Sequence, residues 1–159
     1  MIDESTPIGG TDFITAPVPN GFGMRFYAQP DGSMAGRISL DQNKQGPPGH
    51  AHGGALIAIL DEAMGAAAWY LGHRVVAVNL QFDLKRAVPL HAAVIVRGRV
   101  DNRSGRKLYA SSDILLPGGT IAVSGTGLFL EAPNYVGPDE VFENPFVPMS
   151  PDDDGSLST

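Results

Sequence analysis

The chain has 159 residues, no cysteine and a net charge of −6. This length fits one domain with a sizeable core, and the lack of cysteine excludes disulfides and cysteine-ligated zinc or iron–sulfur sites. The acidity belongs to the two ends, because all 11 Lys and Arg lie between residues 20 and 131, where only eight of the 17 acidic residues fall. That middle is weakly basic, which suits a small anionic ligand, and we expect no nucleic-acid partner.

The two ends of the chain read as extensions of one central domain. Residues 1–20 hold three prolines, two glycines and three acids without periodicity, so we expect a loosely attached arm. The start lacks the basic-then-apolar order of a signal peptide, and we expect a cytoplasmic protein. Residues 133–159 hold five prolines and an Asp-Asp-Asp run, which predicts a tail with little regular structure. The domain is therefore assigned to residues 21–132.

The first predicted element is a β-hairpin. The runs GMRFYAQ and SMAGRISL alternate apolar and polar residues, and Pro30-Asp31-Gly32-Ser33 between them is a strong turn signal. A polar loop, DQNKQGPPG, then leads into the next element.

That element is an almost wholly apolar helix that begins at Gly53 and Gly54 and ends near Leu71, before Gly72. A helix that is apolar on all sides is normally buried on all sides. Its only charged residues, Asp61 and Glu62, lie at its middle. Two central carboxylates and an Ala- and Gly-rich composition argue against a membrane span, and we expect no membrane association.

Four segments rich in β-branched residues follow the helix. They are predicted strands at Arg74–Lys85, Ala92–Val100, Lys107–Leu116 and Thr120–Glu131. The turns between them are VPL at 88–90, NRSG at 102–105 and PGG at 117–119. The pattern predicts an α+β fold in which a meander of antiparallel strands curls around one long helix.

The residues at the start of the helix could form an oxyanion hole. Gly53 and Gly54 would present unpaired backbone N–H groups at the positive end of the helix dipole, and a substrate carbonyl could approach them closely. The alternative is that the glycines only permit a tight turn into the helix. Asp61 in apolar surroundings would have a raised pKa and high reactivity. The alternatives are that a nearby Lys or Arg pairs with it, or that the helix faces solvent there. Glu62 lies about 100° further round the helix, so one of the two carboxylates should face the active site and the other a partner or water. We expect Asp61 to face the active site.

The ordered set GPPGHAHGG, Asp61 nine residues after His52, and the strand VNLQFDLKRAVPL resembles the hotdog-fold acyl-CoA thioesterases, in particular the phenylacetate-pathway type. The resemblance covers residues 22–131. It implies a hotdog fold, hydrolysis of an acyl-CoA to the acid and free coenzyme A, and no cofactor. It also implies that the Gly53 amide polarises the thioester carbonyl while Asp61 acts as nucleophile or general base.

The two loop histidines are assigned smaller roles. His52 is expected to donate a hydrogen bond that fixes the loop, and His50 is either an exposed loop residue or a substrate contact. His50, His52 and Asp61 could be read as metal ligands, but no further ligand stands nearby and Asp61 lies more than two helical turns from the loop. We therefore expect no metal.

Two positions depart from the family pattern. Many relatives have Ser or Thr where this chain has Ala77, and several have Asn where it has Gly46. Asn79 or Gln81 could supply the missing polar contact to the attacking water if they face inward. The departures keep open a domain that binds acyl-CoA without hydrolysing it, and a hotdog dehydratase or hydratase is a further alternative.

Five basic residues are candidates for binding the phosphates of coenzyme A. They fall at predicted strand ends and in one turn, and they are Lys85, Arg86, Arg103, Arg106 and Lys107. Residues at such places also form ordinary solvated edges.

Helix geometry predicts that the active site is shared between two chains. Asp61 lies eight residues after Gly53, or about 12 Å along the helix, which is too far for both to act on one carbonyl. Two antiparallel helices would bring Gly53 of one chain near Asp61 of the other around a twofold axis. We therefore expect a homodimer or homotetramer, whose acyl-chain preference the sequence does not reveal.

Overall fold

The chain is organised around one helix, α1, which spans Gly53–Tyr70 in the computed structural model. The model describes residues 1–11, 13–132 and 143–150. The predicted helix is confirmed, with His52 as its N-cap and Leu71 as its C-cap. Gly72 follows with φ of 91°, a conformation that favours glycine and ends the helix. None of the helices described is both long enough and apolar enough to cross a bilayer.

Six strands form one antiparallel sheet against α1. They are β1 (Tyr27–Ala28), β2 (Met34–Ile38), β3 (Val75–Leu84), β4 (Val94–Ser104), β5 (Lys107–Leu115) and β6 (Ile121–Glu131). Their order across the sheet is β1-β2-β4-β5-β6-β3. Buried side chains of α1 fill the concave side of this sheet: Leu56, Ile59, Leu60, Ala63, Met64, Ala66, Ala67 and Ala68. The α+β class and the predicted hairpin are confirmed.

The prediction of a simple meander is wrong for one strand. β4, β5 and β6 are consecutive neighbours, but β3 pairs with β6 at the far edge and not with β4. The nine residues 85–93 between β3 and β4 make this crossing possible, and they run beneath the loop that precedes α1. The VPL signal therefore marks a turn inside a crossover and not a hairpin.

The predicted turn at 102–105 is also shifted. β4 continues to Ser104, which pairs with Lys107, so the turn itself is Gly105-Arg106. Gly105 has φ of 58°, as a tight hairpin turn requires. A bulge between Val100 and Asn102 interrupts the register and lets the strand run past the polar residues that had indicated a turn.

The N-terminal arm is not loosely attached, contrary to prediction. Ile8 and Ile14 are buried in the main core, and the Ile8 N–H donates to Phe26 O at 3.0 Å. From the predicted tail, Phe146 is also buried, while residues 133–142 and 151–159 lie outside the described part of the chain. Although neither segment shows a regular apolar period, a few apolar residues among the prolines are enough to anchor it to the core. The domain boundaries themselves stay a prediction.

The sheet has a helix side and an outer side. On β6, Val123, Gly125, Gly127 and Phe129 are buried on the helix side, and Ser124, Thr126 and Leu128 between them point outward. This alternation fixes the direction of every paired residue on β3 and β5.

Candidate active site

The loop before α1 is closed by His52. The ring Nδ1 of His52 accepts a hydrogen bond from the Gly54 N–H at 2.9 Å. The backbone N–H of His52 donates to Lys44 O at 2.7 Å. His52 therefore fixes the loop as expected, but its ring accepts and does not donate this bond. A neutral His52 with Nδ1 as acceptor carries its proton on Nε2.

Of the two predicted free amides, only one remains. The Gly54 N–H is used by His52, so the prediction that both glycines present unpaired donors is wrong for Gly54. The Gly53 N–H has no acceptor among the described residues. It lies at the N-terminus of an 18-residue helix, where the dipole favours a developing negative charge.

Gly53 opens into a cleft of about 220 Å³ that also contains three predicted binding residues: His50, Lys85 and Arg86. The backbone N–H groups of Lys85 and Arg86 both donate to Ala122 O, at 2.8 and 3.0 Å, which holds the two side chains at this cleft. His50 Nδ1 lies 3.0 Å from Pro48 O. The structure thus brings cations and a free amide donor together.

The crossover between β3 and β4 holds this loop in place. Ala51 N–H donates to Val88 O at 2.8 Å, and Leu90 N–H donates to Gly49 O at 3.0 Å. His50 and Pro89 also form an isolated bridge. The path of β3 to the far edge of the sheet therefore places residues 85–90 against the start of α1.

Asp61 is half-buried on α1 and has no hydrogen-bond or ion-pair partner among the described residues. The alternative of a structural pair with Lys or Arg therefore finds no support there. Burial raises the pKa of Asp61. A carboxylate that is poorly solvated and unpaired is reactive, and such groups concentrate at functional sites. No group of three His, Asp or Glu side chains in the described ranges could hold a metal ion.

Glu62 has a partner that the sequence did not reveal. Thr11, in the N-terminal arm, donates a hydrogen bond from Oγ1 to Glu62 Oε1 at 2.6 Å. Burial raises the pKa of Glu62, the Thr11 hydrogen bond opposes this, and the charge of Asp61 adds to the rise. No local pattern could have connected residues 51 positions apart, because the contact depends on how the arm packs.

Asn79 and Gln81 do not face the helix. They pair with Leu128 and Thr126 on the outer side of the sheet. They therefore do not face inward, as a replacement for the missing Ser or Thr would have to. Ala77 instead pairs with Phe129, on the helix side. The register shift between Ala77 and Asn79 is responsible for placing them on opposite sides.

The remaining basic candidates lie at the opposite end of the sheet. Lys107 pairs with Leu130, eight residues and about 26 Å along β6 from the Ala122 carbonyl that holds Lys85 and Arg86. Within one chain the structure therefore does not bring Arg103, Arg106 and Lys107 to Gly53.

Two of those three cations have partners of their own. Arg103 Nη2 lies 3.0 Å from Glu131 Oε2, and Arg106 Nη2 donates to Glu131 O at 2.9 Å. Both contacts tie the turn between β4 and β5 to the end of β6.

Residues 48–122 match the model of the thioesterase superfamily. The acyl-coenzyme A thioesterase THEM4 of Xenopus laevis is 35% identical over 89 residues, which are 56% of this chain and 40% of that protein. THEM5 of Homo sapiens is 34% identical over 67 residues, 42% of this chain and 27% of that protein. The chain thus spans about two fifths of the length, or less, of these curated relatives.

Solved structures show the same fold. A thioesterase superfamily protein superposes with a TM-score of 0.72 at 29% identity, over 76% of this chain and 59% of that one. A hypothetical thioesterase from Streptococcus pneumoniae, solved with coenzyme A, gives 0.65 at 18% identity, over 69% and 85%. The predicted hotdog fold is confirmed, as is the predicted resemblance to the thioesterases, whose superfamily model residues 48–122 match.

Proposed function

We propose that this protein is an acyl-CoA thioesterase, which hydrolyses the thioester of an acyl-CoA to the free acid and coenzyme A. The observation that carries the proposal is the unpaired Gly53 N–H at the start of α1, which opens into a cleft beside Lys85 and Arg86. With a thioester carbonyl at that amide, the pantetheine arm would leave through the cleft, and the two cations at the cleft could attract the phosphates at the far end of the arm.

The chemistry needs two groups. The Gly53 N–H donates to the thioester oxygen and stabilises the negative charge that develops on it. Asp61 either attacks the carbonyl carbon or removes a proton from a water that does so. The carbon–sulfur bond then breaks, and coenzyme A leaves as a thiolate that takes up a proton. Where Asp61 attacks first, water hydrolyses the resulting anhydride.

A second copy of the chain supplies the reactive carboxylate. Gly53 and Asp61 are about 12 Å apart along one helix, too far for both to act on the same carbonyl. β3 lies at the edge of the sheet with ten residues and with Val78 and Leu84 about half exposed. Pairing of two such edges would set two α1 helices side by side and complete two equivalent sites. The proposed assembly is a homodimer or a tetramer built from it.

Relatives support the substrate class. The matching proteins THEM4 and THEM5 carry the name acyl-coenzyme A thioesterase, and one protein of the same fold was solved with coenzyme A. Ala77, where the family resemblance led us to expect Ser or Thr, is the observation that favours the second candidate, a domain that binds acyl-CoA without hydrolysing it.

A thiol-release assay over acyl-CoAs of different length and type tests the proposal, with binding of the same esters measured by calorimetry. Release of coenzyme A that depends on the protein, from at least one ester, is the expected result. Binding without release would establish the second candidate, and neither binding nor release would contradict both.

A further inference from the structure

Two carboxylates stand side by side on α1, and of these two only Glu62 has a polar partner among the described residues. Asp61 and Glu62 are consecutive and both are half-buried, about 100° apart around the helix. Burial disfavours the charged form of each carboxylate, and two neighbouring negative charges repel one another. A glutamine after Asp61 could accept the same hydrogen bond without either cost. The presence of a second carboxylate at this position therefore calls for an explanation.

The partner of Glu62 belongs to the N-terminal arm. Thr11 Oγ1 donates a hydrogen bond to Glu62 Oε1 at 2.6 Å. In the described part of the chain, Thr11 and the charge of Asp61 are the polar groups that act on Glu62, which forms no ion pair there. A hydroxyl that donates to a carboxylate favours its charged form. Thr11 therefore stabilises a negative charge on Glu62 that burial and Asp61 disfavour.

The packing of the arm holds Thr11 in place from both sides. Ile8 and Ile14, which precede and follow it, are buried in the main core. Thr15 Oγ1 donates a hydrogen bond to the Thr11 carbonyl. A Cβ at Gly10 would lie 2.6 Å from the Thr15 hydroxyl, so only glycine allows the chain to turn this tightly. The direction of the Thr11 hydroxyl is thus fixed by the fold of the arm.

We propose that Thr11 is a positioning residue for the reaction: it keeps Glu62 an anion throughout the pH range in which Asp61 titrates, and this anion makes Asp61 a stronger base or nucleophile. The inference rests on the proposed function, in which Asp61 attacks the thioester or activates a water. It adds a residue that lies outside the range 48–122 matched by the superfamily model. Thr11 acts through Glu62 and not on the substrate.

The effect follows from the mutual repulsion of the two carboxylates. The charge of Asp61 raises the pKa of Glu62, and by the same interaction the charge of Glu62 raises the pKa of Asp61. If Glu62 loses its proton first, Asp61 titrates beside a negative charge and holds its own proton more tightly. If Glu62 loses its proton last, Asp61 titrates beside a neutral group and is a weaker base. The hydrogen bond from Thr11 favours the first order.

The pH profile of kcat/KM for an acyl-CoA tests the inference in the full-length protein. Its acid limb, where kcat/KM falls as the pH is lowered, reports the ionisation of the free enzyme. Thr11→Val keeps the shape of the side chain but removes the hydroxyl, so it should move the acid limb to lower pH by about half a unit or more. Glu62→Gln removes the charge itself and should move the limb in the same direction at least as far.

Thr11→Ser is the matched control, because it keeps the hydroxyl, and its acid limb should stay at that of the parent protein. The double variant of Thr11→Val and Glu62→Gln should have the limb of Glu62→Gln alone, since Thr11 then has no charge to stabilise. NMR titration of the Asp61 carboxyl carbon without substrate is the second measurement. Its midpoint should be higher in the parent and Thr11→Ser than in Thr11→Val and Glu62→Gln. A purely structural role for Thr11 would lower the thermal midpoint without this pattern.

Three results would overturn the inference. They are an acid limb and an NMR midpoint that do not fall in Thr11→Val, an equal shift in Thr11→Ser, and a further shift when Thr11→Val is added to Glu62→Gln. If Thr11→Val does not fold, an unchanged midpoint of Asp61 in Glu62→Gln would overturn it as well. Absence of turnover for every ester would instead contradict the proposed function, and the NMR midpoints would still test the link from Thr11 to Asp61.

Discussion

The two ends of α1 carry similar kinds of residue but differ in how far those residues satisfy one another. Beyond the C-terminal end, His73 Nδ1 lies 2.7 Å from Glu131 Oε1, and Arg103 binds the other carboxylate oxygen. At the N-terminal end, Lys85 and Arg86 have no side-chain partner among the described residues, and the Gly53 amide has no acceptor there.

The cluster at the C-terminal end therefore ties elements of secondary structure together, whereas the cluster at the N-terminal end has donors and charges free to bind a ligand. At the C-terminal end the opposite charges are already neutralised, so an incoming anion would have to compete with Glu131. At the N-terminal end a free amide, the helix dipole and two cations leave positive potential unbalanced. We therefore expect changes at the N-terminal end to affect catalysis and changes at the C-terminal end to affect mainly stability.

The largest expected effect on activity comes from Asp61, the carboxylate that is proposed to act together with the free Gly53 amide. Asp61→Asn should lower turnover by at least about a hundredfold with folding preserved, because it removes the nucleophile or base. Glu62→Gln is the matched control and should be milder, since Thr11 already engages that side chain. Turnover rates and thermal midpoints of the two variants decide the matter, and near-normal turnover in Asp61→Asn would remove Asp61 from the mechanism.

The pH dependence of kcat/KM is a second test of the role of Asp61. Because burial raises its pKa above the ordinary value of 3.8, the protonated and inactive form persists to higher pH. The acid limb of kcat/KM should therefore lie above pH 3.8. A limb at or below that value would mean that another group controls the reaction.

The amide itself is tested by Gly53→Pro, which removes the N–H at a helix position where proline is tolerated. We expect a loss of about a hundredfold in kcat. Gly53→Ala keeps the N–H and meets only the flexible Leu84 side chain, so it should retain far more activity. Equal losses in the two variants would indicate that bulk, and not the amide, is responsible.

Mixing the two inactive variants tests whether the Gly53 and the Asp61 of one active site belong to different chains. If Asp61→Asn and Gly53→Pro dimers exchange at random, half the dimers are mixed and each holds one intact site. About a quarter of the native activity per total site should return. Demonstrated exchange without any recovery would contradict the shared site.

A smaller effect separates the two sets of cations. Replacing Lys85 and Arg86 together by Gln should raise KM for CoA esters by about tenfold, and added salt should weaken binding in the parent protein in the same direction. Small thioesters without the nucleotide should show little change. Arg103→Gln is the comparison at the paired end, and an equal rise in KM there would restore its predicted role in binding coenzyme A.

The sequence was sufficient for the elements and for the residues around Gly53, because both depend on local patterns. Apolar runs and glycine punctuation located α1 and the long strands, and the dipole argument needed only the helix start. The side on which Asn79 lies depended on a bulge, and the contact from Thr11 to Glu62 depended on how the arm packs. Such features arise from pairing between distant segments, which no local pattern records.

The smallest expected effect is on stability at the paired end. The His73 hydrogen bond first, and then the charge of Arg103, hold the pKa of Glu131 below its ordinary value of 4.5. A carboxylate with a lowered pKa in the folded state stabilises the protein above its unfolded pKa, and this contribution is lost as pH falls through the folded one.

Glu131→Gln should therefore lower the thermal midpoint slightly at pH 7 and have less effect as the pH falls below 4.5. Thermal melts of parent and variant across this range are the measurement, with kcat/KM for a CoA ester followed at pH 7. A stability difference that stays constant with pH would mean that Glu131 acts through packing and not through its charge. A large loss of activity at unchanged stability would contradict the expectation that the C-terminal end of α1 affects mainly stability.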